Sequence, residues 1–539
     1  MTMAMMQAGG TTRSSEIVTN RRLRGVSMSR SGKSSTYRLR AHSKSYVISR
    51  QQTDNLIVRR YAPAMLSVAA KTNDVVKRRD RLNTKTCSGA IGREVNEIKI
   101  SSRQSNLARA SSSPPQETTT TTEDLPKPKK ASRPRIDALD SLRFFLIMYI
   151  STGHFVMFAT GNNFVQSFFS QINVVVGAFF VLSGYVAGYT STELGKYEAS
   201  ARVKPAIKYS IQRIMGFYPL YILAQLIFLP MFAYVDNLYN GPVKTMFHFL
   251  ATSTLTQAWF PLHADIWNAP SWFLSALTFS LIALPYTLPS MAEMKKSGLK
   301  KAFLLLTGIS LIAKVAYSYD LGVWTVMEGM MRKHPNTMFW NNIRFNPFYA
   351  LVEILMGVCA CRFVMLDKVE GEDSTQATSK WLTKPITVFA GMIGMLVLRA
   401  ANVLAINDGL ARSAIFIPLW CLFMMQIHRE TVKDIDSENG GAPKGLTKVL
   451  NSKALVWLGS ISFPIYIFHG PIGQLFYKKA IASKLFGAVM SKKYGYPFFY
   501  VYLFIVMGVS VLVKKFFLDN KAVQSTTKEI TGKLCALAE

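Results

Sequence analysis

The sequence predicts an all-α, polytopic integral membrane protein of about ten transmembrane helices, preceded by a disordered, basic N-terminal region. Three observations carry that expectation. From residue 135 onward, apolar segments near 20 residues long follow one another, the length an α-helix needs to cross the hydrocarbon. Nearly all Phe, Trp and Tyr lie in that part, and only 17% of the chain is charged while 49% is hydrophobic. Residues 1–134 differ: they hold 26 Lys/Arg against 9 Asp/Glu, are rich in Ser and Thr, and contain no long apolar run.

Residues 1–134 cannot bury enough apolar surface to fold alone. Two readings of this region stand side by side. An Arg- and Ser-rich start whose first acidic residue is Glu16 fits an organellar transit segment. Acidic residues recurring after Asp54 fit a disordered cytosolic tail instead. Residues 111–130, SSSPPQETTTTTEDLPKPKK, form a linker by composition. The transmembrane domain is expected over 135–520, with a short C-terminal tail over 521–539. More than half of the net charge of +32, namely +17, belongs to residues 1–134, and no nucleic-acid partner is expected. Five scattered cysteines, Cys87, Cys359, Cys361, Cys421 and Cys535, show neither metal-ligand spacing nor a disulfide framework, so no metal site is expected.

Spans are expected near 142–160, 172–191, 214–235, 272–290, 301–318, 345–365, 385–404, 412–427, 455–477 and 496–518. The Thr-rich, amphipathic stretch 245–258 is taken as interfacial, an eleventh span being the alternative. An even number of spans puts both termini on one side. Lys127–Arg135, the loop with Arg202, Lys204, Lys208 and Arg213, and the cluster Lys295–Lys301 then share a face, which the positive-inside rule makes cytosolic. One loop disagrees, because Lys478, Lys479, Lys484, Lys492 and Lys493 fall on the opposite side.

Within the first span, DALDSLRFFLIMYISTGHFVMF, Asp140 and Arg143 are neighbours at the polar end. Eleven steps further, His154 returns to within roughly 20° of the Arg143 face, about 16 Å along the axis. An ionisable group at that depth is a functional candidate. Arg143 also reads as an anchor at a helix end, and His154 as a packed ring bonded to a neighbouring helix's carbonyl. In the second span Gly177, Ser183, Gly184 and Gly188 form a small-residue face suited to close helix packing. Arg213 stands at the start of the third and reads equally as a juxtamembrane anchor. Trp272 and Ser275 open the fourth, and on composition alone Trp272 fits an interfacial aromatic belt. Glu353 lies mid-span and needs a cation or a proton. His469, two residues before Pro471, stands where a proline frees backbone carbonyls that an imidazole can cap.

These segments resemble, in order, the motifs of the acyltransferase 3 family of membrane-bound O-acyltransferases. LDSLR followed by His154 is similar to its Leu-Asp-Gly-Leu-Arg…His, and FFVLSGY, 179–185, to its Phe-Phe-Val-Leu-Ser-Gly-Phe. WNAPSWFLS, NPFYALVEILMG and LGSISFPIYIFHGP resemble three further family segments. Two positions depart from the family. Gly216 stands where a second arginine joins Arg213, with Lys208 as a substitute, and Leu277 stands where many members carry Glu.

The resemblance implies transfer of an acyl group, often acetyl, from a cytosolic acyl-CoA to a hydroxyl of a carbohydrate or lipid acceptor, with no bound cofactor. In that reading His154 is the general base, Arg143 and Arg213 hold the donor, and Asp140 orients Arg143. Ser183 and Trp272 are candidates for holding the oxyanion, and Ser275, Glu353 and His469 are further site candidates. A proton-coupled transporter is the alternative from another class, disfavoured by the lack of an inverted repeat. A catalytically inactive, acyltransferase-like scaffold is the third reading. Oligomeric state and the membrane concerned leave no trace in the residues.

Overall fold

The computed structural model describes residues 135–192, 203–327, 334–370, 384–436 and 445–538, so the expectations for 1–134 lie outside the described residues. Every regular element among them is helical. Ten helices form the frame: α1 Ala138–Phe155, α2 Ile172–Ser191, α3 Tyr218–Asn240, α4 Trp272–Glu293, α5 Lys296–Leu321, α6 Pro347–Glu370, α7 Pro385–Ala400, α8 Ile417–Asp436, α9 Ser462–Tyr477 and α10 Phe498–Val513. Each answers to one expected span. Among the described residues, eight helical runs are long and apolar enough to cross a membrane, and a bent pair makes a ninth. The helix α7, 16 residues long, is shorter than an unaided span of about 20 residues.

The bent pair corrects the expectation of one continuous span over 455–477. Lys453–Ser460 and α9 meet at Ile461 with a 52° bend. Pro464 supplies the reason: its ring cannot pass the carbonyl four residues back, that of Ser460, so the helix restarts. Stretch 245–258 is not an eleventh span, since its helix, Pro242–Ser253, has only 12 residues. The tail is helical over Lys521–Leu537 and lies against the helix Val203–Met215.

Both helices flanking the discordant basic loop form, α9 before it and α10 after it. Lys484 places its ammonium 4.2 Å from the centre of the Tyr234 ring. Burial lowers the pKa of Lys478, just past α9, against the opposing fields of Asp236 and Asp265. The Lys484–Tyr234 contact ties this loop to α3. At the opposite end, Arg213 donates to Thr190 Oγ1 (3.0 Å) and Lys296 pairs with Asp367 (3.2 Å).

The helix α6 is the axis of the bundle and touches α2, α4, α5 and α8, while α1 lies between α2 and α9. The glycine face of α2 does the packing its small residues suggest. A Cβ on Gly184 would run into the Ile354 carbonyl, and one on Gly357 into that of Val181. The two backbones therefore touch. The expected effect of Gly357→Val is to force this seam apart, costing about 1–3 kcal/mol for an overpacked core. Thermal unfolding of purified protein in detergent should show a lowered midpoint, while Gly391→Ala, at an open position in α7, should leave it unchanged.

Candidate functional site

Asp140 anchors the Arg143 end of α1. It pairs with Arg143 three residues on, as expected, and also accepts from Arg135 at 2.5 Å. Gly459, in the first limb of the bent pair, packs so tightly there that a Cβ would strike the Asp140 carbonyl. Two guanidiniums thus meet around one carboxylate. Arg135 precedes the helix, where sequence spacing gives no face.

From that cluster a cavity of about 570 Å³ runs along α1. Arg135, Asp140 and Arg143 line one end, Ser183, Phe217 and Leu277 belong to the wall, and His154, Asn173 and Arg344 line it further along. The rise of the helix sets about 16 Å between the Arg143 and His154 levels. Trp272 is only 8% exposed and lines the cavity with its ring centre 4.7 Å from that of Phe345, which overturns the aromatic-belt expectation. The belt fails because α4 sits inside the bundle, where its first turn is covered by α6 and its neighbours.

His154 does not bond to a neighbouring helix's carbonyl; its Nδ1 lies 2.9 Å from the carbonyl of Ile150 on its own helix. The same nitrogen is 3.3 Å from Nε2 of His469, a pairing across 315 residues that no local pattern announces. His469 Nδ1 faces the carbonyls of Tyr466 (2.8 Å) and Ile465 (3.1 Å). Carbonyls only accept, so both Nδ1 atoms carry hydrogen. His469 Nε2 is then an acceptor for His154 Nδ1–H, and Nε2 of His154 keeps its lone pair. Pro471 does free a carbonyl, that of Ile467, but Asn268 rather than His469 caps it, at 3.0 Å. Tyr502 donates to the carbonyl of His469 at 3.0 Å and holds this turn from α10.

Glu353 takes the structural reading. It is 1% exposed, ion-paired with Arg412, and 3.8 Å from the Lys314 ammonium, which also donates to Ser310 Oγ at 2.9 Å. Arg412 and Lys314 stand on different segments, so the carboxylate ties three spans together. Beside it Arg399 and Asp408 pair at 2.5 Å.

The other expected residues divide. Ser183 lines the cavity, with its hydroxyl donating to the Phe179 carbonyl at 2.8 Å. Ser275 does not line it; its hydroxyl accepts from Ala258 N–H at 3.1 Å and fixes the turn before α4. Arg213 is exposed, bonded to Thr190 and set over the Tyr209 ring at 5.3 Å, and does not line the cavity. The expected donor-binding role of Arg213 therefore finds no support in its position, since Arg135 and Arg143 line the cavity and no residue of the helix Val203–Met215 does.

Beyond α3, a loop held by Asp236 walls the cavity's far side. Asp236 accepts from His248 Nδ1 (2.7 Å) and Trp267 Nε1 (2.9 Å), and His248 Nε2 meets His263 Nδ1 at 2.8 Å. Burial, then the neighbouring His248 ring and Lys244, lowers the pKa of His263.

A family model described as an acyltransferase domain, that of acyltransferase 3, matches residues 136–515. No curated protein and no solved structure matches this chain.

Removing the Glu353 charge should leave Arg412 and Lys314 facing each other inside the bundle. Glu353→Gln is expected to cost about 3–5 kcal/mol, the range for breaking a buried ion pair. The midpoint of thermal unfolding in detergent measures it, and Glu353→Asp, which keeps the charge, should lose less.

Proposed function

The chain belongs to the acyltransferase 3 family, and from that premise we propose that it transfers an acyl group from acyl-CoA to a hydroxyl of a carbohydrate or lipid acceptor inside the membrane. The observation that carries this reading is one cavity with two guanidiniums at one end and an imidazole lone pair further along. Guanidiniums match phosphate geometry with paired N–H donors, so Arg135 and Arg143 suit the phosphates of a CoA headgroup. A thioester about 16 Å deeper would lie beside His154. The Arg143 end carries the basic loops and would face the cytosol, where acyl-CoA is found.

The imidazole suits a hydroxyl nucleophile, because the neutral ring leaves the Nε2 lone pair bare to accept the hydroxyl proton. His154 Nε2 takes the hydroxyl proton as the oxygen attacks the thioester carbonyl. The proton then passes to the departing thiolate. His469 acts through His154: by accepting at Nε2 it fixes which nitrogen of His154 stays bare and steadies the imidazolium.

Acyl-CoA turnover and acyl-CoA affinity, each per folded molecule, test the assignment. His154→Ala is expected to lower turnover by about 10²–10⁴ with donor affinity largely kept. Arg143→Lys should chiefly weaken the donor complex, since an ammonium cannot make the two-pronged contact. Near wild-type turnover in folded His154→Ala would remove the base assignment. A mere packing role would show as less folded protein working at a normal rate.

A further inference from the structure

We propose that the side-chain amide of Asn173 is the hydrogen-bond donor for the carbonyl oxygen of the thioester under attack at His154. The inference rests on the acyl-transfer reading and supplies the group that reading lacks. Ester formation passes through a tetrahedral carbon whose oxygen carries a full negative charge, and in a water-poor site that charge needs a fixed donor.

Asn173 stands in the first turn of α2 and lines the same cavity as His154. Their levels agree, for Gly153 packs so closely on α2 that a Cβ there would come within 2.8 Å of Ile172 Cγ1. His154 and Asn173 each follow one member of that contact. The backbone of Asn173 is held, its carbonyl accepting from Arg412 Nη1 at 3.1 Å. Two residues earlier, the Gln171 amide donates to the Leu396 carbonyl at 2.8 Å while its oxygen accepts from Arg399. The side-chain amide of Asn173, by contrast, has no hydrogen bond to protein among the described residues. An unpartnered amide between membrane helices is unfavourable, and such a group is retained where a ligand or water completes it.

The expected alternatives fit less well. The Ser183 hydroxyl is used by the Phe179 carbonyl, and ten residues along α2 place it about 15 Å nearer the donor end. Arg344 lines the cavity but donates to Asn341 Oδ1 at 3.1 Å and stacks on Phe345 at 4.0 Å. Trp272 is the rival, its indole also facing the cavity.

In the step, the acceptor's O–H proton moves to His154 Nε2 and the new C–O bond forms. The carbonyl π pair moves to oxygen, where Asn173 Nδ2–H holds it. As the intermediate collapses the C–S bond breaks, and the thiolate takes the proton back from His154. Acyl-CoA and alcohol become ester and free CoA.

The test uses the full chain in detergent, with two ligands: acetyl-CoA, and a CoA thioether ending in a trifluoromethyl ketone, whose hydrate is tetrahedral. Acetyl transfer is read on octyl glucoside, whose hydroxyls serve as acceptor. Asn173→Leu, near in shape but without a donor, should lose about 10²–10³ in transfer rate and a comparable factor in analogue affinity. Its acetyl-CoA affinity should change little, and its unfolding midpoint should hold or rise, which a structural amide would not allow. Asn173→Gln should recover part of the loss. An unchanged ratio of analogue to acetyl-CoA affinity in Asn173→Leu overturns the proposal, as does the same loss appearing in Trp272→Phe instead. The affinity ratio needs no turnover, so it is decided separately from the fate of His154→Ala.

Discussion

Where Gly184 and Gly357 bring α2 onto α6, two helices touch backbone to backbone, and the other spans take their places from that line. In lipid there is no hydrophobic force between helices, so close packing of small residues is what draws them together. The seam also sets the electrostatics. Once α2 and α6 are in register, Glu353 faces Arg412, Arg412 reaches the Asn173 carbonyl, and the first turn of α2 is fixed beside α1. A glycine contact thereby governs the wall of the cavity, which Ser183, beside Gly184, also lines.

Charge in this bundle follows two regimes. Along α5, α6 and the turns just before α8, cations and carboxylates pair directly, because an unpaired ion there costs several kcal/mol. Along α1 the cavity lets Arg143 and His154 remain part of an open surface, where a ligand or water completes them. That difference separates groups that hold the fold from groups free to act. It also explains why Glu353, the most deeply placed carboxylate of the sequence motifs, belongs to the frame.

The departures at Gly216 and Leu277 read differently once the cavity is seen. Leu277 forms part of its wall, so the departure there makes that stretch of the wall apolar. Gly216 is exposed at the break between the Val203–Met215 helix and α3, and Arg213 beside it points to Thr190. Two guanidiniums do meet in this protein, but at Asp140, where Arg135 and Arg143 pair with one carboxylate.

Segment lengths and apolar runs were enough to determine the membrane class, the ten helices and most of their bounds, because span length is dictated by bilayer thickness rather than by neighbours. The Asp140–Arg143 pair and the Arg143–His154 face were equally legible, being fixed by helical periodicity within one element. Tertiary structure alone decided what crosses between elements. It joined His469 to His154, gave Glu353 its two cations, moved Trp272 from the belt to the cavity, and left Arg213 outside. The reason is physical: side-chain partners on different helices depend on rotation and close approach at seams such as Gly184–Gly357, and a single strand of sequence carries no measure of either.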